Sequence, residues 1–427
     1  MELEELYSLF LTCKGITTDS RHCPQESMFV ALKGETFNGN AFAAQALAQG
    51  CRYAVVDEPE YAGEHCILVD NCLTTLQRLA TYHRRQLKTP ILGITGTNGK
   101  TTTKELVSAV LSCKYNTLFT QGNLNNHIGV PLTLLRLTPQ HEMAVVEMGA
   151  NHPGEIKTLV HIAEPDYGLI TNVGKAHLLG FGSFEGVIRT KGELYDYLRG
   201  KNGSTIFIQN ENPYLNNIAS QLHCIRYGQT PGLFVSGKTT GCSPYLSFCW
   251  TSESISHEVQ THLIGSYNLD NALAAVAIGR YFGVPDTDIC KAIASYLPQN
   301  NRSELKETAS NRLIIDAYNA NPTSMHAALE NFRQMQVPHR MVILGDMKEL
   351  GKSSIEEHQK VITYLKTCPF ERIVLVGPEF AAIPSGYEHY QDVYQLIETL
   401  KQEKPEGYTI LIKGSNSMKL SQIPDYL

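Results

Sequence analysis

Lys100 and Thr101 follow a turn, Gly96-Thr97-Asn98-Gly99, that is otherwise free of charge. Glycines let backbone N–H groups close around phosphate oxygens, so the turn reads as a phosphate cradle. Lys100 is placed to reach the β- and γ-phosphates of a nucleotide, and the Thr101 hydroxyl to ligate Mg2+. An apolar strand, Ile91 to Ile94, leads into the turn. A helix follows, with Leu106, Val107, Val110 and Leu111 on one face and Lys104, Glu105 and Ser108 on the other. Its N-terminus, with Thr102 next in line, adds partial positive charge. The usual spacing has a glycine where this chain has Ile94, so the match is to the shorter form GTNGKT.

More polar groups stand at strand ends. GNLNNHIGVP, from Gly122 to Pro131, offers Asn123, Asn125 and Asn126 as uncharged donors and acceptors; it reads equally as an Asn-rich turn. Glu147 ends the apolar strand Ala144–Glu147, where a carboxylate beside a phosphate loop would hold Mg2+ or cap a helix. His177, in LITNVGKAHLLGFGS, follows another strand end; a metal or phosphate role and a structural one are both open. Lys191 in VIRTKGELYDYL reads as a surface lysine on composition alone. Asn268 and Asn271 share one face at a helix start, against a planar base or as N-caps of an Ala-rich helix. Arg302 suits a phosphate and Asp316 the hydroxyls of a ribose. Tyr318 and Asn319 come just after Asp316, and Lys413, Ser415 and Asn416 just past a later strand.

Positioning these groups requires alternating strands and helices. Residues 1–88 read as a small α/β domain with a strand Met28–Leu32, a helix Ala41–Gln49 and a strand Tyr53–Val56. In it Ser20, Arg21, Lys33 and Gly34 either converge on a phosphate or nucleotide sugar or form a solvated loop. Residues 89–300 read as a mostly parallel sheet, with strands Ile91–Thr95, Ala144–Glu147, Gly168–Thr171 and Thr205–Ile208. Residues 301–427 repeat the theme as a Rossmann-like unit, with strands Leu313–Asp316, Met341–Leu344, Ile373–Val376 and Thr409–Ile412. That unit lacks a G-x-G-x-x-G turn, so no dinucleotide is indicated. The fold class is α/β in three domains: a central P-loop-type domain between a small N-terminal one and a Rossmann-like C-terminal one.

A chain of 427 residues with net charge −6 has no broad basic surface, which argues against nucleic acid as a partner. Its 11 cysteines are scattered without C-x-x-C zinc spacing and read as reduced thiols. The acidic start MELEELYSLF has too short an apolar run for a signal peptide, and no run suits a membrane span. A cytoplasmic monomer is expected.

Taken in order, the motifs resemble those of the Mur ligases, the ATP-dependent amide-forming enzymes of peptidoglycan synthesis, over nearly the whole chain. GTNGKTTTK and RTKGELY are shared with the related folylpolyglutamate synthetases. GNLNNHIGVP, EMGANHPGEI and DAYNANPTS are most similar to the branch that joins D-alanyl-D-alanine to UDP-N-acetylmuramoyl-tripeptide. The resemblance implies ATP, two Mg2+ sites and a CO2-derived carbamate on Lys191. By it, Lys100 and Thr101 handle the γ-phosphate and first metal with Glu147, and His177 and Lys191 serve the second. Asn268 and Asn271 would face adenine, and Arg302 and Asp316 the phosphates and ribose. Ser20, Arg21, Lys33, Gly34 and Phe37 would hold the UDP end, with Tyr318 and Asn319 near the domain seam. Two positions depart from the family pattern: Asn40 for histidine, and Asn416 for the arginine of KGSRSM, with Arg340 or Lys419 as candidate replacements.

Overall fold

The computed structural model describes residues 1–253, 255–298 and 302–427. Three sheets carry the chain. The first is parallel and four-stranded, in the order Ile16–Thr17, Met28–Val30, Tyr53–Val56, Cys66–Leu68. Its second strand stops at Val30, short of the expected Leu32. The expected helix over 41–49 is a 3-10 turn, Gly39–Phe42, followed by a helix, Ala43–Ala48.

The central sheet has nine strands. Thr117–Phe119, Met143–Glu147, Ile91–Thr95, Tyr167–Ile170, Thr205–Gln209, Cys224–Gly228 and Val235–Cys242 run parallel in that order. An antiparallel extension, Tyr245–Ser252 and Ile255–Ile264, completes it. This extension is absent from the sequence reading. It buries alternate residues of Tyr245–Ser252, with Leu246, Phe248 and Trp250 facing inward, as half-buried strands do.

The third sheet holds the expected strands, each reaching one or two residues further: Arg312–Asp316, Thr409–Lys413, Arg340–Gly345 and Arg372–Val376. An antiparallel strand Glu304–Glu307 and a short strand Glu388–Tyr390 close its edges. The boundary expected at 300/301 lies outside the described residues.

The helix Lys100–Leu111 departs from expectation. Lys104 and Ser108 are buried along with the apolar face. A second helix, Leu269–Tyr281, small and apolar almost all round, packs across it. A Cβ on Gly279 would come 2.4 Å from Val110 Cγ1, so only glycine allows this approach. Lys104 Nζ is satisfied by Thr120 O at 2.9 Å. The close crossing sets Asn271 against the phosphate-loop helix, where Thr103 Oγ1 donates to Asn271 Oδ1 at 3.0 Å.

The helix Cys72–Leu87 joins the first sheet to the second. Asn71 caps its start through Thr74 N at 2.8 Å, and Lys88 ends it in the left-handed region. It packs against the helices Gly129–Leu134 and Glu155–Ala163, so one core runs through both units. Arg84 is buried in this joint and donates to Ala163 O (3.0 Å), Glu164 O (2.7 Å) and Asp166 Oδ2 (3.0 Å). Breaking a buried ion pair is strongly destabilising, but the Asp166 side chain is 32% exposed and keeps Lys201 and the Ile91 amide. Arg84→Ala is therefore expected to lower stability by about 2–3 kcal/mol, below the full buried-pair range. Urea denaturation of the variant checks this; an unchanged midpoint would contradict it.

Candidate active site

The C-terminal ends of the central and third sheets, with the loops beyond them, enclose a cavity of about 900 Å³. On one side is the glycine turn. Gly96 has φ +139°, and a Cβ there would sit 2.0 Å from Thr171 Oγ1. The turn is clamped from the next strand's loop: Thr97 N donates to Asn172 O (2.9 Å) and Asn98 N to Asn172 Oδ1 (3.0 Å). The first bond of the following helix is Thr103 N to Gly99 O at 2.8 Å. The amides of residues 99–102 precede that ladder, at the positive end of a twelve-residue helix. Lys100 folds back on its own turn, with Nζ donating to Gly96 O and Thr97 O, both at 3.0 Å. Burial pushes its ammonium below the usual lysine value; Glu147 opposes this and Arg302 adds to it.

Parallel register places Glu147 beside Ile94, at the mouth of the turn. Glu147 Oε1 accepts from Thr101 Oγ1 (3.2 Å) and from Asn125 Nδ2 (2.8 Å). Its Oε2 is buried with no hydrogen-bond partner among the described residues. Asn123 and Asn126 also line the cavity, but Asn126 Oδ1 is engaged by the amides of Ile128 (3.1 Å) and Gly129 (2.8 Å).

His177 lines the cavity in a left-handed backbone conformation, and its Nδ1 hydrogen-bonds Glu349 of the C-terminal unit. Lys191 is not a cavity-lining residue; it lies buried just behind the wall, its Nζ 3.2 Å from Ala150 O and 5.2 Å from the Phe181 ring centroid. Burial holds its amine well below the ordinary lysine value, Lys100 adds to this, and Glu155 and Glu193 oppose it.

Asn268 and Asn271 form part of the wall as a bonded pair. Asn271 Nδ2 donates to Asn268 Oδ1 (2.8 Å) and Asn268 Nδ2 to Ile264 O (2.9 Å). From the third sheet come Asp316, Tyr318, Asn319 and Lys413. Asp316 and Lys413 are register partners, and Lys413 Nζ meets Asp316 Oδ2 at 2.5 Å. Arg302 stacks on Tyr318, its Cζ 3.6 Å from the ring centroid. Asn321 Nδ2 donates to Asn98 Oδ1 at the turn itself (2.8 Å), and Lys175, in the loop after the strand Tyr167–Ile170, pairs with Glu357 (3.1 Å).

Other expected site residues lie elsewhere. Gly96 shapes the turn without lining the cavity, and Ser415 sits behind it, its Oγ accepting from Lys348 N at 2.9 Å. Ser20, Arg21, Lys33, Gly34 and Phe37 are on the first unit, outside the cavity. There Arg21 is paired with Asp19 (2.9 Å), and Lys33 with Asp57 (3.0 Å) and Glu58 (2.9 Å), while Phe37 is exposed. Asn40 is fully buried, its amide bonded to Asp57 Oδ1 (2.8 Å), and is thus part of the core. Arg340 pairs in register with Thr409 at the opening end of its strand, the far edge from Ser415, so it is no replacement for a loop arginine there. Asn172, Asp270 and Thr323 line the cavity and were not singled out from the sequence. Thr323 sits within DAYNANPTS, and Asn172 within LITNVG, so motif position was the available signal.

The donor set suits a hard cation. A buried carboxylate oxygen without a partner beside a threonine hydroxyl offers Mg2+ two oxygen ligands. Among the described residues no three of His, Cys, Asp or Glu converge as a cage. Mg2+ characteristically takes few protein ligands and fills the rest from water and phosphate.

This architecture defines a nucleotide-dependent α/β enzyme, and comparison identifies its family. Family models match residues 12–84 (Mur ligase family, catalytic domain), 94–279 (Mur ligase middle domain) and 301–416 (Mur ligase, glutamate ligase domain). The chain belongs to the Mur ligase family. It is 36% identical over 424 residues to the UDP-N-acetylmuramoyl-tripeptide–D-alanyl-D-alanine ligase of Bacillus subtilis (strain 168), covering 96% of this chain and 92% of that one. A crystal structure of MurF from Acinetobacter baumannii aligns with TM-score 0.88 and 32% identity, over 99% of this chain and 97% of that one. A MurF ligase of Thermotoga maritima in complex with ADP aligns with TM-score 0.86 and 25% identity, over 98% and 97%.

Gly96→Ala is expected to weaken ADP binding at least about tenfold, since its Cβ would displace Thr171 and with it the clamp on the turn. Calorimetric titration of the folded variant measures this; wild-type affinity would contradict it.

Proposed function

We propose that this chain uses ATP to join D-alanyl-D-alanine to UDP-N-acetylmuramoyl-tripeptide, making the pentapeptide precursor of peptidoglycan and releasing ADP and phosphate. Full-length likeness to ligases of that name supports the substrates. The cavity supports the chemistry, because it gathers a phosphate turn, a buried carboxylate and basic groups of two units around one space.

A carboxylate resists attack by an amine because oxide is a poor leaving group. Phosphorylation of the tripeptide's terminal carboxylate by ATP gives an acyl phosphate, from which phosphate leaves once the dipeptide amine has added. In this reading Lys100 releases the carbonyls of Gly96 and Thr97 and turns to the γ-phosphate, neutralising charge along the transfer path. The amides at Gly99–Thr102 receive the other phosphate oxygens. Thr101 and Glu147 would hold one Mg2+ and His177 a second, with Lys191 once carbamoylated; bound Mg2+ would neutralise the phosphates and polarise the reacting oxygen. Lys191 suits carbamoylation because addition of CO2 needs a neutral amine, and burial favours that form. The product is an anion, which turns a repelled lysine into a metal-binding group.

Asn268 and Asn271 serve the adenine side, and Arg302 and Asp316 the phosphates and ribose. Asn123, Asn125, Asn126, Tyr318, Asn319 and Lys413 line the cavity and serve as substrate-binding residues, while Ser415 acts from behind the wall through the Lys348 amide. The first unit, residues 1–88 with Ser20, Arg21, Lys33, Gly34 and Phe37, takes the UDP end. There Lys33 and Arg21 exchange their carboxylate partners for pyrophosphate oxygens. Residues 89–300 carry ATP, and residues 301–427 close over it, excluding water that would hydrolyse the acyl phosphate. No helix among the described residues is long and apolar enough to cross a membrane. We assign the reaction to the cytoplasm and to a monomer.

The purified chain given ATP, UDP-N-acetylmuramoyl-tripeptide and D-alanyl-D-alanine is expected to form one pentapeptide per phosphate, and none with folate plus glutamate; the reverse preference would overturn the reading. Lys100→Ala is expected to cut turnover by at least about 10²-fold. Lys191→Ala should be inactive, unrescued by bicarbonate but partly rescued by a short-chain carboxylic acid. Full activity in Lys191→Ala would remove that residue from the chemistry.

A further inference from the structure

Glu349 takes no part in the reaction as described, yet it meets a residue that does. It belongs to the C-terminal unit, in the segment between the strand Arg340–Gly345 and the helix Ser354–Leu365. Its carboxylate accepts the Nδ1 proton of His177, which lies 172 residues earlier in the chain. The contact is backed by the main chain: Leu179 N donates to Glu349 O at 3.1 Å. Both residues hold left-handed backbone, with φ +50° at His177 and +65° at Glu349. Non-glycine residues adopt that region at some cost, so the surrounding structure must hold both conformations. The Phe181 ring stands edge-on to the imidazole, with centroids 6.2 Å apart.

Magnitude argues against a stability device. The Glu349 side chain is 54% exposed. Ion pairs so open to water contribute about 0–1 kcal/mol. What the contact does fix is geometry. A neutral histidine that donates from Nδ1 keeps its lone pair on Nε2, and the bond sets the plane of the ring.

We propose that Glu349 is a positioning residue: by accepting the Nδ1 proton of His177 it holds Nε2 ready for a cation in the cavity, and, because it comes from the C-terminal unit, it does so only when that unit is docked. The inference rests on the assignment of His177 to the second cation. Docking of the third unit then completes the metal site as well as excluding water. The Asn98–Asn321 and Lys175–Glu357 contacts hold the same seam.

The test uses Mn2+ as the probe, on the full chain saturated with ADP. Its readouts are equilibrium Mn2+ binding and the histidine-nitrogen modulation in pulsed electron paramagnetic resonance. His177→Ala should lose the weaker Mn2+ site and the nitrogen signal. Glu349→Ala should weaken that site by about 10–100-fold, the usual effect of removing a ligand's hydrogen-bond partner. It should also broaden or abolish the nitrogen signal, with the tighter site and ADP affinity unchanged. Glu349→Gln, whose amide oxygen still accepts from Nδ1, should recover most of the loss; a residue needed only for folding would show no such selective rescue. If His177→Ala leaves both sites intact, the metal assignment fails and this inference with it. If His177→Ala removes the site but Glu349→Ala leaves affinity and nitrogen signal at wild-type values, the positioning role alone is overturned.

Discussion

A carboxylate buried with one oxygen unpaired is the constraint around which the site is built. Taking an ionised group out of water is costly unless it is paired or coordinated. Glu147 is 1% exposed; one oxygen is held by Thr101 and Asn125, and the other has no hydrogen-bond partner among the described residues. The strand that carries it lies beside the strand leading into the glycine turn, and Glu147 lines the cavity next to that turn. A cation with its phosphates would satisfy that oxygen and the amides at the helix start together. The proposed chemistry depends on this arrangement, in which binding completes a polar site that folding leaves incomplete.

The basic groups follow the same logic in reverse. Each already has local acceptors: Lys100 its own turn, Lys413 Asp316, Lys33 Asp57 and Glu58. A chain of net charge −6 cannot draw in anionic substrates by its overall field. It can offer cations whose present partners are exchangeable. Arg21 and Asp19 are at the surface, where pairs are weak and partners swap at little cost, whereas Lys33 is half-exposed and the side chain of its partner Asp57 is buried and also held by Asn40 and the Cys72 amide. Lys413, almost fully buried, is held more firmly and orients Asp316.

Much of this was legible in the sequence. The parallel strands end within a few residues of where their apolar runs end, because strands buried on both faces read as continuous apolar segments. The residues at those ends, Glu147, His177 and Asp316, fall around one cavity for the same reason. Less legible was the antiparallel extension: its alternation at Leu246, Phe248 and Trp250 is plain once the sheet is known, but it lies in a region otherwise read for helix–strand repeats. The helix Lys100–Leu111 was read with Lys104, Glu105 and Ser108 opposite its apolar face, yet Lys104 and Ser108 are buried as well, Lys104 with its Nζ on Thr120 O. Asn40, Glu349 and Asn321 gain their roles from contacts 17, 172 and 223 residues away, which local pattern does not encode.

The central claim is that the cavity makes an inert carboxylate electrophilic by transferring phosphate to it. The most direct measurement labels both oxygens of the tripeptide's terminal carboxylate with 18O and follows the label during turnover with ATP and D-alanyl-D-alanine. One 18O is expected in each inorganic phosphate released, carried over from the acyl phosphate. Pentapeptide formed with unlabelled phosphate would contradict it.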